Sequence, residues 1–144
     1  MTAMDEFLSR LASPNFRSIY DGLDETWNGR AEALNARLER EDLPVRVSNL
    51  SSIWMVQYTK PSRYNWMFQY YLRAEGLALS WVGSGRLIFS LNFTDADFAE
   101  VETRFVAAAE KMKRDGWWWH DASLTDKKIR RQILKEMLVS KFKR

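Results

Sequence analysis

The chain has no cysteine and only one histidine among its 144 residues. The lack of cysteine excludes disulfide bonds, thiolate metal sites and cysteine nucleophiles. It is also compatible with the cytoplasm, where we expect the protein to reside. No apolar run approaches the roughly 20 residues that a transmembrane helix requires, and residues 1–10 lack the basic and apolar segments of a signal peptide. We therefore expect no membrane partner.

The excess of positive charge is small and is confined to one end of the sequence. The formal net charge is +3, whereas residues 126–144 contain eight Lys or Arg and only two acidic residues. The rest of the chain is therefore slightly acidic, which argues against a nucleic-acid partner. Five aromatic residues between positions 64 and 71 have little positive charge near them. We interpret them as core residues rather than as a surface that stacks on bases.

Hydrophobic periodicity and capping residues divide the chain into helices and strands. Ser13 and Pro14 predict the start of a long helix, which Gly22 and Gly29 weaken without ending. Thr94 predicts a capping box in which Asp97 takes the place of the usual Glu or Gln. The predicted helices cover residues 2–12, 14–38, 63–75, the segment from the Thr94 cap to residue 114, and the segment from residue 125 onward. The predicted strands cover residues 45–47, 52–58, 77–82 and 86–92, and the last two should form a hairpin.

This order of elements predicts an α+β fold in which a small, mainly antiparallel sheet is covered by helices. We expect residues 1–43 to be N-terminal helices that lead into a small domain formed by residues 44–116. Residues 117–144 should be a Trp-rich loop followed by a basic C-terminal helix. The run Trp117-Trp118-Trp119 is too apolar to be left in water. It should therefore anchor that helix or meet a partner surface.

Few residues are candidates for chemistry. His120 has no obvious catalytic partner in the sequence, and Ser84, between two glycines, lacks the strand and helix that flank a nucleophilic serine. No spacing typical of a metal site occurs. Arg86 follows the glycine turn and begins an apolar strand, where its guanidinium could bind a carboxylate with two hydrogen bonds. The alternative is an arginine at a strand end in solvent.

Residues 45–116 resemble the C-terminal domain of class III pyridoxal-phosphate-dependent aminotransferases, and most of all the glutamate-1-semialdehyde aminomutase-like proteins. Three segments carry the resemblance. The segments are the strand Asn-Leu-Ser-Ser-Ile-Trp at 49–54, the helix and strand entry at 65–77, and Ser-Leu-Asn-Phe-Thr-Asp-Ala-Asp-Phe at 90–98. Residues 1–44 are similar to the segment that leads into that domain.

The resemblance implies the small domain of a fold-type I enzyme and a substrate-binding role for Arg86, which lies five residues before Leu91. It implies that pyridoxal phosphate belongs to the complete enzyme and that this chain holds no cofactor. The Schiff-base lysine of the family lies in its large domain, and Lys60 does not have the family's lysine context. The chain should therefore be inactive alone, should pair with the large cofactor-binding domain, and should form a homo-oligomer.

Two other functions are compatible with the residues. The chain could be a stand-alone interaction module that binds a protein or a nucleic acid through its Trp-rich, basic C-terminal segment. It could also be a sensor that binds a small carboxylate with Arg86 and the hairpin turn.

Overall fold

The computed structural model describes residues 2–78 and 85–142, apart from the side chains of Asn15 and Ile19. Within these residues the chain forms six α-helices, one short 3-10 helix at Asn65–Met67 and three strands. The helices are α1 (Ala3–Leu11), α2 (Pro14–Asp21), α3 (Leu23–Arg40), α4 (Phe68–Ala74), α5 (Asp95–Arg114) and α6 (Asp126–Phe142). The strands are β1 (Val45–Leu50), β2 (Ile53–Tyr58) and β3 (Arg86–Ile88).

The three strands form one antiparallel sheet in the order β1-β2-β3. This confirms the predicted α+β fold with a small antiparallel sheet. The strand predicted from residue 86 to 92 ends at Ile88, and it pairs with β2. Of the strand predicted at 77–82, Leu77 and Ala78 are not in a strand. The rest of it and Ser84 in the predicted turn lie outside the described residues.

The prediction of one long helix after Pro14 was wrong, because Gly22 separates α2 from α3. Gly22 has φ −111° and ψ 8°, which are not helical values, and a Cβ at this position would meet no atom within 4 Å. Residues other than glycine can also adopt these angles, so the break does not require glycine, although glycine weakens a helix that continues through it. As a result, the apolar side chains of the predicted helix over residues 14–38 are divided between two helices. Trp27, Leu34 and Leu38 on α3 are buried, whereas Phe16 and Tyr20 on α2 are exposed.

The predicted capping box at the start of α5 is confirmed. The backbone N–H of Asp97 donates to the hydroxyl of Thr94 at 3.2 Å, and the N–H of Thr94 donates to the Asp97 carboxylate at 2.8 Å. These bonds satisfy N–H groups that the first turn of a helix leaves without partners. They fix the start of the helix that covers much of the core.

The core lies between one face of the sheet and helices α3, α4 and α5. At its centre the rings of Trp27, Trp54, Phe89 and Phe98 contact one another, with centroids between 5.1 and 6.3 Å apart. Trp27 and Trp54 meet edge to face, a geometry that adds roughly 0.5–1.5 kcal/mol per pair beyond the burial of apolar area. Helix α3 therefore shares one core with the strands, although it falls within the segment predicted as N-terminal helices.

Arg30 ties α3 to the beginning of α5. Its guanidinium carbon lies 4.7 Å from the Trp27 ring centroid and 5.3 Å from that of Phe98, and its side chain is only 12% exposed. It donates to the backbone oxygen of Phe93 at 3.1 Å and to the Asp95 carboxylate at 2.8 Å. The cation thus lies against two rings of the core while its charge is paired at the surface.

Asn35 on α3 completes the outer edge of β1. Its side-chain amide donates to the backbone oxygen of Val47 at 2.9 Å, and its oxygen accepts from the Val47 N–H at 2.8 Å. The amide thereby makes the two hydrogen bonds that a neighbouring strand would make. This contact covers part of a strand edge that is otherwise open to pairing with another chain.

We expect Asn35→Ala to lower the free energy of unfolding by about 2 kcal/mol, since it leaves the N–H and C=O of Val47 without their partners. Urea unfolding measures the change. Asn28→Ala is the matched control, because Asn28 is exposed on the same helix and its side-chain oxygen accepts a hydrogen bond from the side chain of Asn49 rather than from a strand backbone. A loss for Asn35→Ala no larger than that of the control would contradict the assigned role.

A second group of aromatic rings joins β2, α4 and the segment after α5. Trp118 lies 6.1 Å from Tyr58 and 5.2 Å from Phe68 between ring centroids, and its indole N–H donates to the backbone oxygen of Ala109 at 2.9 Å. Trp118 is therefore the residue of the tryptophan run that anchors the segment to the core. Tyr58, which it contacts, is partly buried, and burial raises the pKa of Tyr58 to about 12.

The raised pKa of Tyr58 predicts a loss of stability at high pH. Between about pH 10 and pH 12 the unfolded chain releases the phenolic proton while the folded chain retains it, so folding becomes less favourable as the pH rises. Tyr58→Phe removes this contribution. The difference in the free energy of unfolding between the two chains, measured by urea unfolding from pH 8 to 12, should shift in favour of the variant above pH 10. A difference that does not change with pH would refute the prediction.

Candidate functional site

The sheet has a second face that the described helices do not bury. Alternation along paired strands places Leu50, Ile53, Met55 and Ile88 on this side, opposite Trp54 and the rest of the core. These four side chains are 77%, 44%, 46% and 63% exposed, respectively. We call them the apolar sheet face. Leu50 is paired with Ile53, and Ile53 with Ile88, so three of them form a continuous row across the sheet.

The sequence of β2 explains this arrangement. Ile53, Trp54, Met55 and Val56 are consecutive apolar residues, so the strand is apolar on both of its sides. Strands of that composition are typical of sheets that are covered on both faces, whereas a strand with one side in water alternates apolar and polar residues. The apolar sheet face therefore has the composition of a surface that another element or domain covers.

Arg86 lies at the border of the apolar sheet face. It is the first residue of β3 and is the register partner of Met55, which places it on the same side of the sheet. The residue before it, Gly85, has φ +63°, and its backbone oxygen accepts from the N–H of Val56 at 2.7 Å. A Cβ at Gly85 would lie 3.3 Å from the Val56 oxygen. Glycine at this position therefore allows the close approach that sets the start of β3.

The other residues considered for chemistry lie elsewhere. Lys60 is exposed in the loop after β2, where its backbone oxygen accepts from the side chain of Asn65 at 2.9 Å. His120 Nδ1 lies 3.0 Å from the backbone oxygen of Pro61, so the structure places His120 beside the Lys60 loop. Neither lies on the strand that carries Arg86. Ser84 lies outside the described residues.

The described residues offer no site for a metal ion and no membrane span. Residues 2–78 and 85–142 contain no group of three acidic or histidine side chains that could hold a metal. Over the same residues, no helix has both the length and the apolar composition needed to cross a bilayer.

A cleft that the sequence did not predict lies between α6 and the segment after α5. It has a volume of about 440 Å³, and its walls include Arg63, Tyr64, Trp117, Trp119 and Ile133. In the sequence, only the run Trp117-Trp118-Trp119 indicated an apolar surface in this part of the chain. Arg63 comes from a loop about 70 residues before its ion-pair partner Glu136, a separation that no local pattern indicates.

Comparison with known proteins adds no relative, since no protein-family model matches the chain and no similar curated protein is found. The resemblance described above therefore remains a prediction that rests on the motifs of the sequence.

Proposed function

We propose that this chain forms the small C-terminal lobe of a class III pyridoxal-phosphate-dependent aminotransferase of the glutamate-1-semialdehyde aminomutase-like kind. In this proposal a separate, larger domain holds the cofactor, and the lobe closes over the substrate. The observation that supports it best is the apolar sheet face with Arg86 at its border. A lobe that docks onto another domain needs such a surface, and a carboxylate ligand needs such an arginine.

The position of Arg86 suits a role in substrate binding. Its guanidinium is a permanent cation that can form two parallel hydrogen bonds to a carboxylate. When the apolar sheet face is covered, water is removed from its border and the attraction between the two charges becomes stronger. Closure of this kind also excludes water from the reaction. We infer that Arg86 binds and orients the substrate carboxylate.

We infer that the residues around Lys60, the lysine considered for the cofactor, do not hold it. Pyridoxal phosphate requires a lysine for its aldehyde and donors for its phosphate, in a site that orients the ring. Lys60 is exposed, and the cavity beside it, of about 430 Å³, is lined by the carboxylates Glu39 and Asp42 as well as by Arg46, so its charges offset one another and it is not a cationic site for a phosphate. The proposal therefore assigns the cofactor and the covalent chemistry to the large domain.

We expect the apolar sheet face, which the large domain would cover in this proposal, to cause weak self-association of the isolated chain. Replacing Ile53 and Ile88 together by threonine keeps β-branched residues in the strands and makes the face more polar. The dissociation constant from sedimentation velocity should rise about tenfold or more. Met4→Thr with Leu8→Thr is the matched control on the exposed side of α1. If only the control pair weakened association, the apolar sheet face would not be the contact.

The assignment of Arg86 is tested by supplying this chain to the large domain of a class III aminotransferase that lacks its own small domain. The chain should restore reaction with an amino donor, followed as the loss of the internal aldimine absorbance. Arg86→Met should lower the apparent affinity for a carboxylate-bearing donor about tenfold or more, because a charge-assisted hydrogen bond is lost. It should leave cofactor binding unchanged.

Arg46→Met is the matched control, since Arg46 is an exposed arginine on the same side of the sheet, on β1. Without the large domain, the chain should form no borohydride-stable lysine adduct with pyridoxal phosphate. A stoichiometric adduct would overturn the assignment of the cofactor to another domain. Failure to restore the reaction with any large domain of the family would overturn the proposed function.

A second candidate function is an interaction module that uses α6 and the tryptophan run. It is favoured by the apolar side chains that α6 exposes beside basic ones, among them Leu134, Met137, Leu138 and Phe142. The two candidates make opposite predictions in the reconstitution. The small-lobe proposal requires the apolar sheet face and tolerates polar replacements on the outer side of α6. The interaction module requires α6 and is independent of Arg86.

A further inference from the structure

The cleft beside α6 is built from three separate parts of the chain. Arg63 and Tyr64 precede α4, Trp117 and Trp119 follow α5, and Ile133 belongs to α6. Trp118 instead packs against the core, on Tyr58 and Phe68. Its two neighbours are left partly exposed in the cleft, at 38% for Trp117 and 48% for Trp119.

The planes of the aromatic rings in the cleft are inclined to one another rather than stacked in parallel. The Tyr64 ring centroid lies 5.4 Å from that of Trp117 with 59° between the planes, and 6.2 Å from that of Trp119 with 76° between the planes. Tyr64 therefore packs directly against both tryptophans, and the ring surface left for a ligand is the exposed part of Trp117 and Trp119. The volume of about 440 Å³ is within the usual range for sites that bind small molecules.

The charged group of the cleft is the Arg63 guanidinium, which is forked onto Glu136 of α6, and Gln132 adds a neutral amide to the lining. Its Nη1 donates to one carboxylate oxygen at 3.2 Å and its Nη2 to the other at 2.8 Å. A guanidinium has five N–H groups, so this pair uses two of them. The Nε–H and the second hydrogen of Nη2 form another fork, for which the described residues provide no acceptor. A second carboxylate can therefore bind Arg63 without breaking the pair with Glu136.

The charge of α6 favours an anion over a cation in this cleft. Between Asp126 and Phe142 the helix has six Lys or Arg and two acidic residues. Glu136 is paired with Arg63, which offsets its charge, and it is not among the residues that line the cleft. An incoming anion therefore meets a positive field, and an incoming ammonium group would be repelled by it.

We propose that this cleft binds a small planar carboxylate, with its ring against the exposed parts of Trp117 and Trp119 and its carboxylate on the open side of Arg63. The site lies on a different face from the apolar sheet face, and the proposal is independent of the small-lobe function. The ligand class follows from two partly exposed tryptophan rings, one cation with an unused fork, and a positive surface.

The test titrates the full chain with 2-naphthoate and follows quenching of tryptophan fluorescence together with heat by calorimetry. The neutral 2-naphthylmethanol and the cationic 2-naphthylmethylammonium are the comparison probes. We expect the carboxylate to bind at least tenfold more tightly than either, with an affinity that falls as salt is added. Trp119→Ala should weaken binding about tenfold. Trp66→Ala should not, because Trp66 is an exposed ring that packs on Tyr70 outside the cleft.

Two variants separate ligand binding from the structural role of the ion pair. Arg63→Gln and Glu136→Gln both remove the contact between the loop and α6. Arg63→Gln should weaken 2-naphthoate binding about tenfold or more. Glu136→Gln should leave it unchanged or strengthen it, since the cation remains and a competing carboxylate is gone. Equal weakening by both variants, binding that ignores Trp119→Ala, or no binding of 2-naphthoate at millimolar concentration would each overturn the proposal.

Discussion

The contact between Trp27 and Trp54 is the interaction on which the rest of the fold depends. It joins α3 to the central strand, and Phe89 and Phe98 extend the cluster to the end of β3 and to the start of α5. Arg30, seated against two of these rings, fixes the position of the α5 N-terminus. Because the cluster fills one side of the sheet, the apolar residues on the other side are free to serve another purpose.

Local rules predicted the elements well where the determinants lie close together in the sequence. Thr94 and Asp97 marked the start of α5, and Gly76, with φ +83°, follows α4 as expected for a glycine that ends a helix. Gly22 was judged wrongly because the periodic pattern continues across it. Whether a glycine interrupts a helix depends on the packing on either side of it, and here the core residues Trp27, Leu34 and Leu38 lie on α3, after the break.

The candidate site was predictable only in part. Arg86 could be proposed from its place after a glycine turn, and the structure puts it on the open side of the sheet beside Met55. The exposure of that side could not be derived, because an apolar run such as β2 indicates burial on both sides and does not say what provides it. The cleft was not predicted, since Arg63 and Glu136 meet only after α6 has folded back onto the chain.

The amide of Asn35 has a consequence for how copies of the chain can meet. A strand edge with unpaired peptide groups acts as a template, so that sheets can grow without limit in one direction. At Val47 those groups are already occupied by a side chain of the same molecule. Another strand could pair with Val47 only by displacing the Asn35 side chain, so this side chain opposes growth of the sheet at that position. The proposed association through the apolar sheet face would use side chains instead, and it would stop once the two faces are in contact.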